Sequence, residues 1–212
     1  VDFSEDYIQH VVADLFFGAT ETVKAAVLWM LLTMALYPDV QRAVRDELDR
    51  AVGRDRPPTM ADRPALPYTQ AVLMEVHRCC SVIPCAIPHV TTEEVELGGH
   101  RLPRGTTVTA NLYSAHMDPD LWPEPDRFRP DRFLDDRGRV VTSHDAYMPF
   151  SLGPRSCLGE QLAKCEMFLS FTAILQRFHL ELPAGQPRPS LDGLPGITHL
   201  PRVTTLRVIP RK

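Results

Sequence analysis

Apolar residues recur at Ile8, Val11, Val12, Leu15, Ala19, Val23, Ala26, Val27, Met30, Leu31 and Met34. That spacing keeps one side of an α-helix apolar for about eight turns. It predicts a helix over Tyr7–Tyr37, ended by Pro38, which removes an amide donor and fixes φ. From Val40 to Val52 the pattern changes to alternating charges, Arg42, Arg45, Asp46, Glu47, Asp49 and Arg50, with Gly53 as the stop. A helix of that kind is expected to be a solvated surface element. Prolines at 57, 58, 64 and 67 make Arg54–Pro67 a loop. Helical spacing returns over Tyr68–Arg78 and stops before Pro84.

Beyond Val95 the period shortens to that of strands. Val95-Glu96-Leu97, Gly98-Gly99 and Arg101-Leu102 read as a hairpin, and Thr106–Ala110 as a further strand. Asn111–Met117 is a short helix, and a proline-rich meander runs from Asp118 through Leu134. A helical pattern fills Glu160–Phe178, followed by strand-like pieces at His179–Leu182 and Thr204–Val208. No internal repeat or low-complexity tract interrupts the chain. The expected class is mainly α with small β-sheets (α+β).

Composition narrows this only modestly. Of 212 residues, 44% are hydrophobic and 24% charged, and the net charge is −4. These values describe an ordinary globular chain and give no reason to expect nucleic acid. Cys79, Cys80, Cys85, Cys157 and Cys165 are odd in number and lack a CxxC pair, which points to a reducing compartment rather than a disulfide framework. His77, Cys79, Cys80, Cys85 and His89 match no structural zinc spacing. No signal peptide or transmembrane run is read from the sequence. Val1 already lies within what reads as a loop leading to a helix, so a fragment is expected.

Candidate chemistry concentrates in Phe150-Ser151-Leu152-Gly153-Pro154-Arg155-Ser156-Cys157-Leu158-Gly159. A cysteine at the mouth of a helix faces unpaired amides and a partial positive charge that stabilise a thiolate. Gly153 and Gly159 let the backbone approach a flat partner, and Arg155 can clamp a carboxylate of it. A haem held through Cys157 suits this set. A buried small hydrophobe or a redox thiol suits the cysteine as well. In Asp14–Thr22, Gly18 weakens the helix and the Thr22 hydroxyl can bond the Gly18 carbonyl, opening a turn beside Glu21; a plain helix with an incidental glycine is the competing reading. Glu75 and Arg78 are neighbours on one helix face, a common chance pattern.

The cysteine segment resembles the ligand loop of the cytochrome P450 family, Phe-x-x-Gly-x-Arg-x-Cys-x-Gly, with Phe150, Gly153, Arg155, Cys157 and Gly159 at its fixed positions. Gly18, Ala19, Glu21 and Thr22 are similar to its oxygen-binding helix, with Ala19 where a second glycine is usual. Glu75 and Arg78 resemble the family's buried Glu-x-x-Arg, paired with an arginine of a later Pro-x-Arg-Phe element. Of two copies, Pro125–Phe128 and Pro130–Phe133, the register from Trp122 favours the second, making Arg132 the third partner. Val82-Ile83-Pro84-Cys85-Ala86-Ile87-Pro88-His89 resembles the segment lining the substrate cavity, with His89 at a propionate-binding position. The turn Gly196–His199, with Ile197, is placed like the last substrate-contacting loop. Asp14 shares the face of Gly18 and Thr22; it either bonds backbone of a lid or attracts a cationic substrate amine.

The resemblance covers about the second half of a family member and looks most like animal microsomal, drug- and steroid-oxidising members. It implies a partial haem domain over 1–212, lacking anchor, propionate-binding helix and lid. It further implies haem b (iron protoporphyrin IX) as cofactor and a small apolar substrate oxidised by a monooxygenase. Electrons would come from NADPH through a separate flavoprotein reductase, with cytochrome b5 as a further donor. The whole protein would be anchored on the cytosolic face of the endoplasmic reticulum membrane, with a mitochondrial location as the alternative. Two alternatives stay open: a truncated chain unable to hold haem, and a haem-thiolate isomerase.

Overall fold

The structure, a computed structural model, describes residues 4–202 and 205–211. Its central element is α1, Glu5–Leu36, capped by the Ser4 hydroxyl, which accepts from the Tyr7 amide at 3.3 Å. The apolar spacing runs its whole length, but only the half from Ala25 onward is buried. Trp29, Met30, Leu32 and Met34 there are at most 1% exposed, whereas Phe16 and Phe17 stand 71% and 87% exposed. The helix is long and apolar enough, by length and composition, to cross a membrane, where no transmembrane run was expected. Its C-terminal half is the core helix of the fold.

Pro38 does more than end α1. It opens α2, Pro38–Ala51, at the first helical position, where a missing amide hydrogen costs nothing. The expected solvated surface helix is corrected here, because Gln41, Val44, Glu47 and Leu48 are buried. Gln41 Nε2 donates to the carbonyls of Met34 and Leu180, and its Oε1 accepts from the Leu180 amide, each at 2.9 Å. The Glu47 carboxylate accepts from the Tyr68 and Thr69 amides and the Thr69 hydroxyl at 2.6–2.8 Å. Those amides open α3, Pro67–Cys80, and a carboxylate at a helix N-terminus is where the helix dipole favours it.

Three two-stranded antiparallel pairs complete the scaffold among the described residues. β1 (His89–Val90) pairs with β4 (Thr107–Val108). β2 (Val95–Leu97) and β3 (His100–Leu102) form the expected hairpin, in register Val95 to Leu102. The short helix α4, Leu112–His116, is capped by Asn111 Oδ1. The helix α5, Glu160–Arg177, leads directly into β5, Phe178–Glu181, which pairs with β6, Arg207–Pro210. The expected last strand was placed from Thr204, which lies outside the described residues.

One core gathers α1, α2, α3 and α5 around Trp29, Leu48, Val76, Phe168, Phe171 and Leu175. A smaller cluster of Ala71, Trp122, Phe133 and Ala146 seats the meander on α3. Full burial of such side chains is worth about 1.5–3 kcal/mol each, so the two clusters fix where the loop before α5 can lie.

Candidate active site

The loop carrying Cys157 is closed by its own backbone. The Cys157 amide donates to the Phe150 carbonyl at 2.9 Å, and the Ser156 amide to that of Gly153 at 3.1 Å. Gly153 has φ +78, a left-handed conformation that glycine adopts without steric cost. The helix α5 begins only at Glu160, with Gly159 as its cap, so Cys157 sits in the turn ahead of the helix rather than in its first turn. A methyl added at Gly159 would stand 4.0 Å from the Cys157 Sγ; glycine there leaves that side of the sulfur uncovered. Cys157 and Arg155 are exposed. Phe150 is half-buried, its ring edge-on to His77 at 5.8 Å and 5.5 Å from the Lys164 ammonium.

The other thiols differ in setting. Burial pushes the Cys80 thiol up to about 12, and burial followed by the Glu75 charge raises that of Cys79 well above its usual range. Both stay protonated and inert at neutral pH. Cys165 is half-buried on α5, and exposed Cys85 forms a β-bridge with Asn111.

Behind the loop lies a buried ion lattice. Glu75 and Arg78 are 0% exposed, and Arg78 grips the carboxylate with two donors, Nε to Oε2 at 2.8 Å and Nη2 to Oε1 at 2.9 Å. Arg132, from the meander, donates its Nε to Oε1 at 3.0 Å, and the Arg129 amide adds a fourth bond at 2.9 Å. Arg127, in the other copy of the motif, is exposed beside Glu124. Arg78 also donates to the carbonyls of His116 and Pro125, each at 2.8 Å. Burial alone would lower the Arg78 pKa, but the hydrogen bonds and charge of Glu75 raise it.

On α1 the Thr22 hydroxyl donates to the Gly18 carbonyl at 2.7 Å. The helix runs unbroken through this point, so of the two readings the plain helix is the one observed, with an engaged hydroxyl in place of an opened turn. Glu21 pairs with Lys24 at 2.5 Å in solvent, a contact of small energetic weight. Asp14, Gly18 and Ala19 are exposed. Leu15, Phe16, Ala19, Thr20, Val23 and Lys24 line a cleft of about 390 Å³ closed on one side by Glu166 of α5. That cleft gathers Ala19 but not Asp14, Gly18, Glu21 or Thr22.

Across the fold, Val82 and Ile83 are half-buried, His89 is exposed on β1, and Ile197 is 78% exposed. Two residues on from Ile197, His199 ties the segments together. Its amide donates to the Val82 carbonyl at 2.8 Å, and its carbonyl accepts from the Trp29 indole at 2.8 Å. Its ring nitrogens lie 2.6 Å from the Cys80 carbonyl and 2.7 Å from that of Asp192. Carbonyls only accept, so the ring satisfies both only with a proton on each nitrogen. Gly193 is required beside it, since a methyl there would meet the His199 Nε2 at 2.1 Å.

The cytochrome P450 family profile matches residues 1–207. The chain belongs to the cytochrome P450 family. It is 44% identical over 210 residues to cytochrome P450 2U1 of Rattus norvegicus, covering 99% of this chain and 39% of that one. Against cytochrome P450 2D4 of the same species, identity is 46% over 209 residues, covering 99% and 42%. A zebra fish cytochrome P450 solved with abiraterone superposes with a TM-score of 0.90 at 40% identity, covering 99% of this chain and 49% of that one. Another structure from zebra fish, with progesterone, gives 0.91 at 40% identity, over 99% and 48%. The chain thus spans about two-fifths of the curated relatives it matches. The animal subgroup and the α+β class expected from sequence agree with these relatives.

The P450 family carries haem, and the donor set around Cys157 fits it. Cys157 presents an exposed thiol that would hold the iron, Gly159 leaves space beside its sulfur, and Arg155 is exposed where it would meet a carboxylate. Leu152, Leu158 and Leu162, within five residues of Cys157, are 63–94% exposed, apolar surface of the kind a flat macrocycle covers. Sequence reasoning missed Glu47, His116 and the ring contacts of His199. Only Glu47 had a visible signal, a carboxylate that helical periodicity places on the buried face of α2 with Val44 and Leu48.

Proposed function

We propose that this chain supplies the thiolate-ligand loop and the oxygen-side helix of a haem-thiolate monooxygenase. The reaction inserts one atom of O2 into an apolar organic substrate, with electrons from NADPH passed through a separate flavoprotein reductase. The observation that carries the reading is the exposed Cys157, whose backbone amide donates to the Phe150 carbonyl within the family's ten-residue pattern. When bound, haem b supplies the oxygen chemistry, tuned by the electron density of a thiolate ligand.

The chain's own residues divide the remaining work. Cys157 would hold the iron of a bound haem, and Gly153 and Gly159 would leave room for its close approach. Phe150 packs the loop onto the core, and Arg155 and His89 orient propionates by charge-assisted bonds. Gly18 and Ala19 keep the helix surface low. Thr22, whose hydroxyl already donates to Gly18, keeps its lone pairs for a proton donor and can pass that proton on by rotating; Glu21 connects it to solvent. Val82, Ile83 and Ile197 exclude water from the substrate side. Asp14 fixes backbone at the rim of the pocket.

The zebra fish relatives solved with abiraterone and progesterone support a rigid apolar substrate. The mammalian relatives support residence of the whole protein at the endoplasmic reticulum membrane; a place on its cytosolic face, beside the reductase and cytochrome b5, is part of the proposal. Oxygen consumption by haem-loaded protein tests the reading. Dependence on both NADPH and reductase is expected, and turnover without either would assign an isomerase instead.

A further inference from the structure

His116, the last residue of α4, is 1% exposed and touches both the ion lattice and the cysteine loop. Its carbonyl accepts from Arg78 Nη1 at 2.8 Å. On its ring, Nε2 lies 3.1 Å from the Met148 amide, and Nδ1 lies 2.8 Å from the Ser81 hydroxyl. An amide can only donate, so Nε2 is the acceptor and the ring proton sits on Nδ1, directed at Ser81. Ser81 in turn donates to the Arg78 carbonyl at 3.2 Å. The ring is tilted against Tyr147 at 6.1 Å, and the Tyr147 hydroxyl lies 3.2 Å from Nδ1 of His77. Burial, reinforced by the Arg78 charge, lowers the His116 pKa to about 4.

Met148 opens a turn in which its carbonyl accepts from the Ser151 amide at 3.0 Å. Inside that turn is Phe150, whose carbonyl holds the Cys157 amide. The path from Arg78 to the sulfur-bearing residue therefore runs through one imidazole and two backbone hydrogen bonds.

We propose that His116 is the positioning residue of the cysteine loop. As an Nδ1-protonated imidazole, it transfers the register of the Glu75–Arg78–Arg132 lattice to Met148 and so sets where Cys157 presents its sulfur. This deepens the reading of Cys157 as haem ligand and rests on it, but the structural half is measurable without haem. Ser81 completes the device by holding the ring in one orientation. The role is distinct from core filling, because it needs an acceptor at Nε2 and not only an apolar ring of the same size.

Three measurements on the purified chain test it. Ring-nitrogen NMR of the wild type at neutral pH should show His116 protonated on Nδ1 and bare on Nε2; a proton on Nε2 overturns the proposal whatever the variants do. Amide hydrogen exchange should quicken about tenfold or more at Met148 in His116→Phe, the effect expected of one buried donor left without its partner. Exchange at Cys157 should quicken with it, while amides of α2 and β5 keep their rates. His116→Gln, which retains an acceptor, should restore most of the protection. Equal protection in wild type and His116→Phe overturns the proposal. If His116→Phe fails to fold, the wild-type tautomer and His116→Gln decide. Haem titration then separates the two levels. Weaker haem binding and a weakened thiolate Soret signature in His116→Phe, recovered in His116→Gln, support the positioning role. Unchanged haem binding in a variant whose loop exchange has quickened overturns the link to Cys157. Absence of haem binding by the wild type removes the parent reading and leaves the loop result standing.

Discussion

Replacing Arg78 by Met removes one charge and all the bonds its guanidinium makes, in a site where Arg78 and Glu75 are 0% exposed. Glu75 would keep Arg132 and the Arg129 amide but lose both forked bonds. The carbonyls of His116 and Pro125 would lose their donors as well. Breaking a buried pair by removing one partner costs roughly 3–5 kcal/mol, a large share of a domain's net 5–15 kcal/mol or so. Arg132→Met removes one of four bonds to Glu75 together with exposed bonds to the carbonyls of Pro123, Glu124 and Arg127, so about 1.5–3 kcal/mol is expected. Arg127→Met, which breaks only an exposed pair at 3.4 Å, should lie within about 0–1 kcal/mol. Urea denaturation reads this series through the fluorescence of buried Trp29 and Trp122. Trp122 is also a local reporter, its ring 5.3 Å from the Arg78 guanidinium and 6.0 Å from that of Arg132. The expected order of loss is Arg78, then Arg132, then Arg127. Arg78→Lys should rescue little, since an ammonium cannot reproduce the fork. Equal midpoints for the Arg78 and Arg127 variants would refute the lattice as the anchor of the meander.

Acid should act through two buried imidazoles. His77 and His116 are lowered to about 4, each mainly by burial, whereas an unfolded histidine titrates near 6.5 or so. Between those values only the unfolded chain takes up the protons, so stability is full above about pH 6.5 and falls as pH drops toward about 4, by roughly 3 kcal/mol per histidine. Urea midpoints across that window measure it; a flat profile contradicts both assignments. Glu47→Gln should cost about 1–3 kcal/mol by weakening three bonds to the start of α3, read as a lower midpoint and faster exchange of the Tyr68 and Thr69 amides. In haem-loaded protein, Thr22→Ala should consume reducing equivalents without matching product while haem content holds, and Thr22→Ser should recover coupling; unchanged product per electron in the alanine variant would remove Thr22 from the proton path.

The elements were legible because their signals are local. Helical spacing gave α1, α3 and α5 to within a few residues, and the Gly98-Gly99 turn gave the β2–β3 hairpin. Glu75, Arg78 and Arg132 could be named from motif order, and their bonding geometry is now visible. What stayed hidden depends on where the chain folds back. Gln41 sits in a charged stretch that reads as surface, yet β5 arrives to use its polar groups, and Glu47, though periodicity puts it with Val44 and Leu48, finds its partners only where α3 folds back. His116 shows nothing in its neighbourhood, because its partners Ser81 and Met148 are distant in sequence. The Phe16–Phe17 end of α1 carries the same apolar spacing as its buried half, and periodicity cannot tell which half the core covers. Gly18 left an opened turn and a plain helix both open, and the structure has the plain helix, with one hydroxyl bond from Thr22 accommodated without a break.

The central claim, that Cys157 is the thiolate ligand of a haem, is met most directly by one spectrum. The chain is loaded with haem, reduced and exposed to carbon monoxide, beside Cys157→Ala prepared the same way. A thiolate-type Soret band in the wild type, absent from Cys157→Ala and retained in Cys85→Ala and Cys165→Ala, is the predicted result. A thiolate band that survives in Cys157→Ala, or no such band in the wild type, would contradict the account.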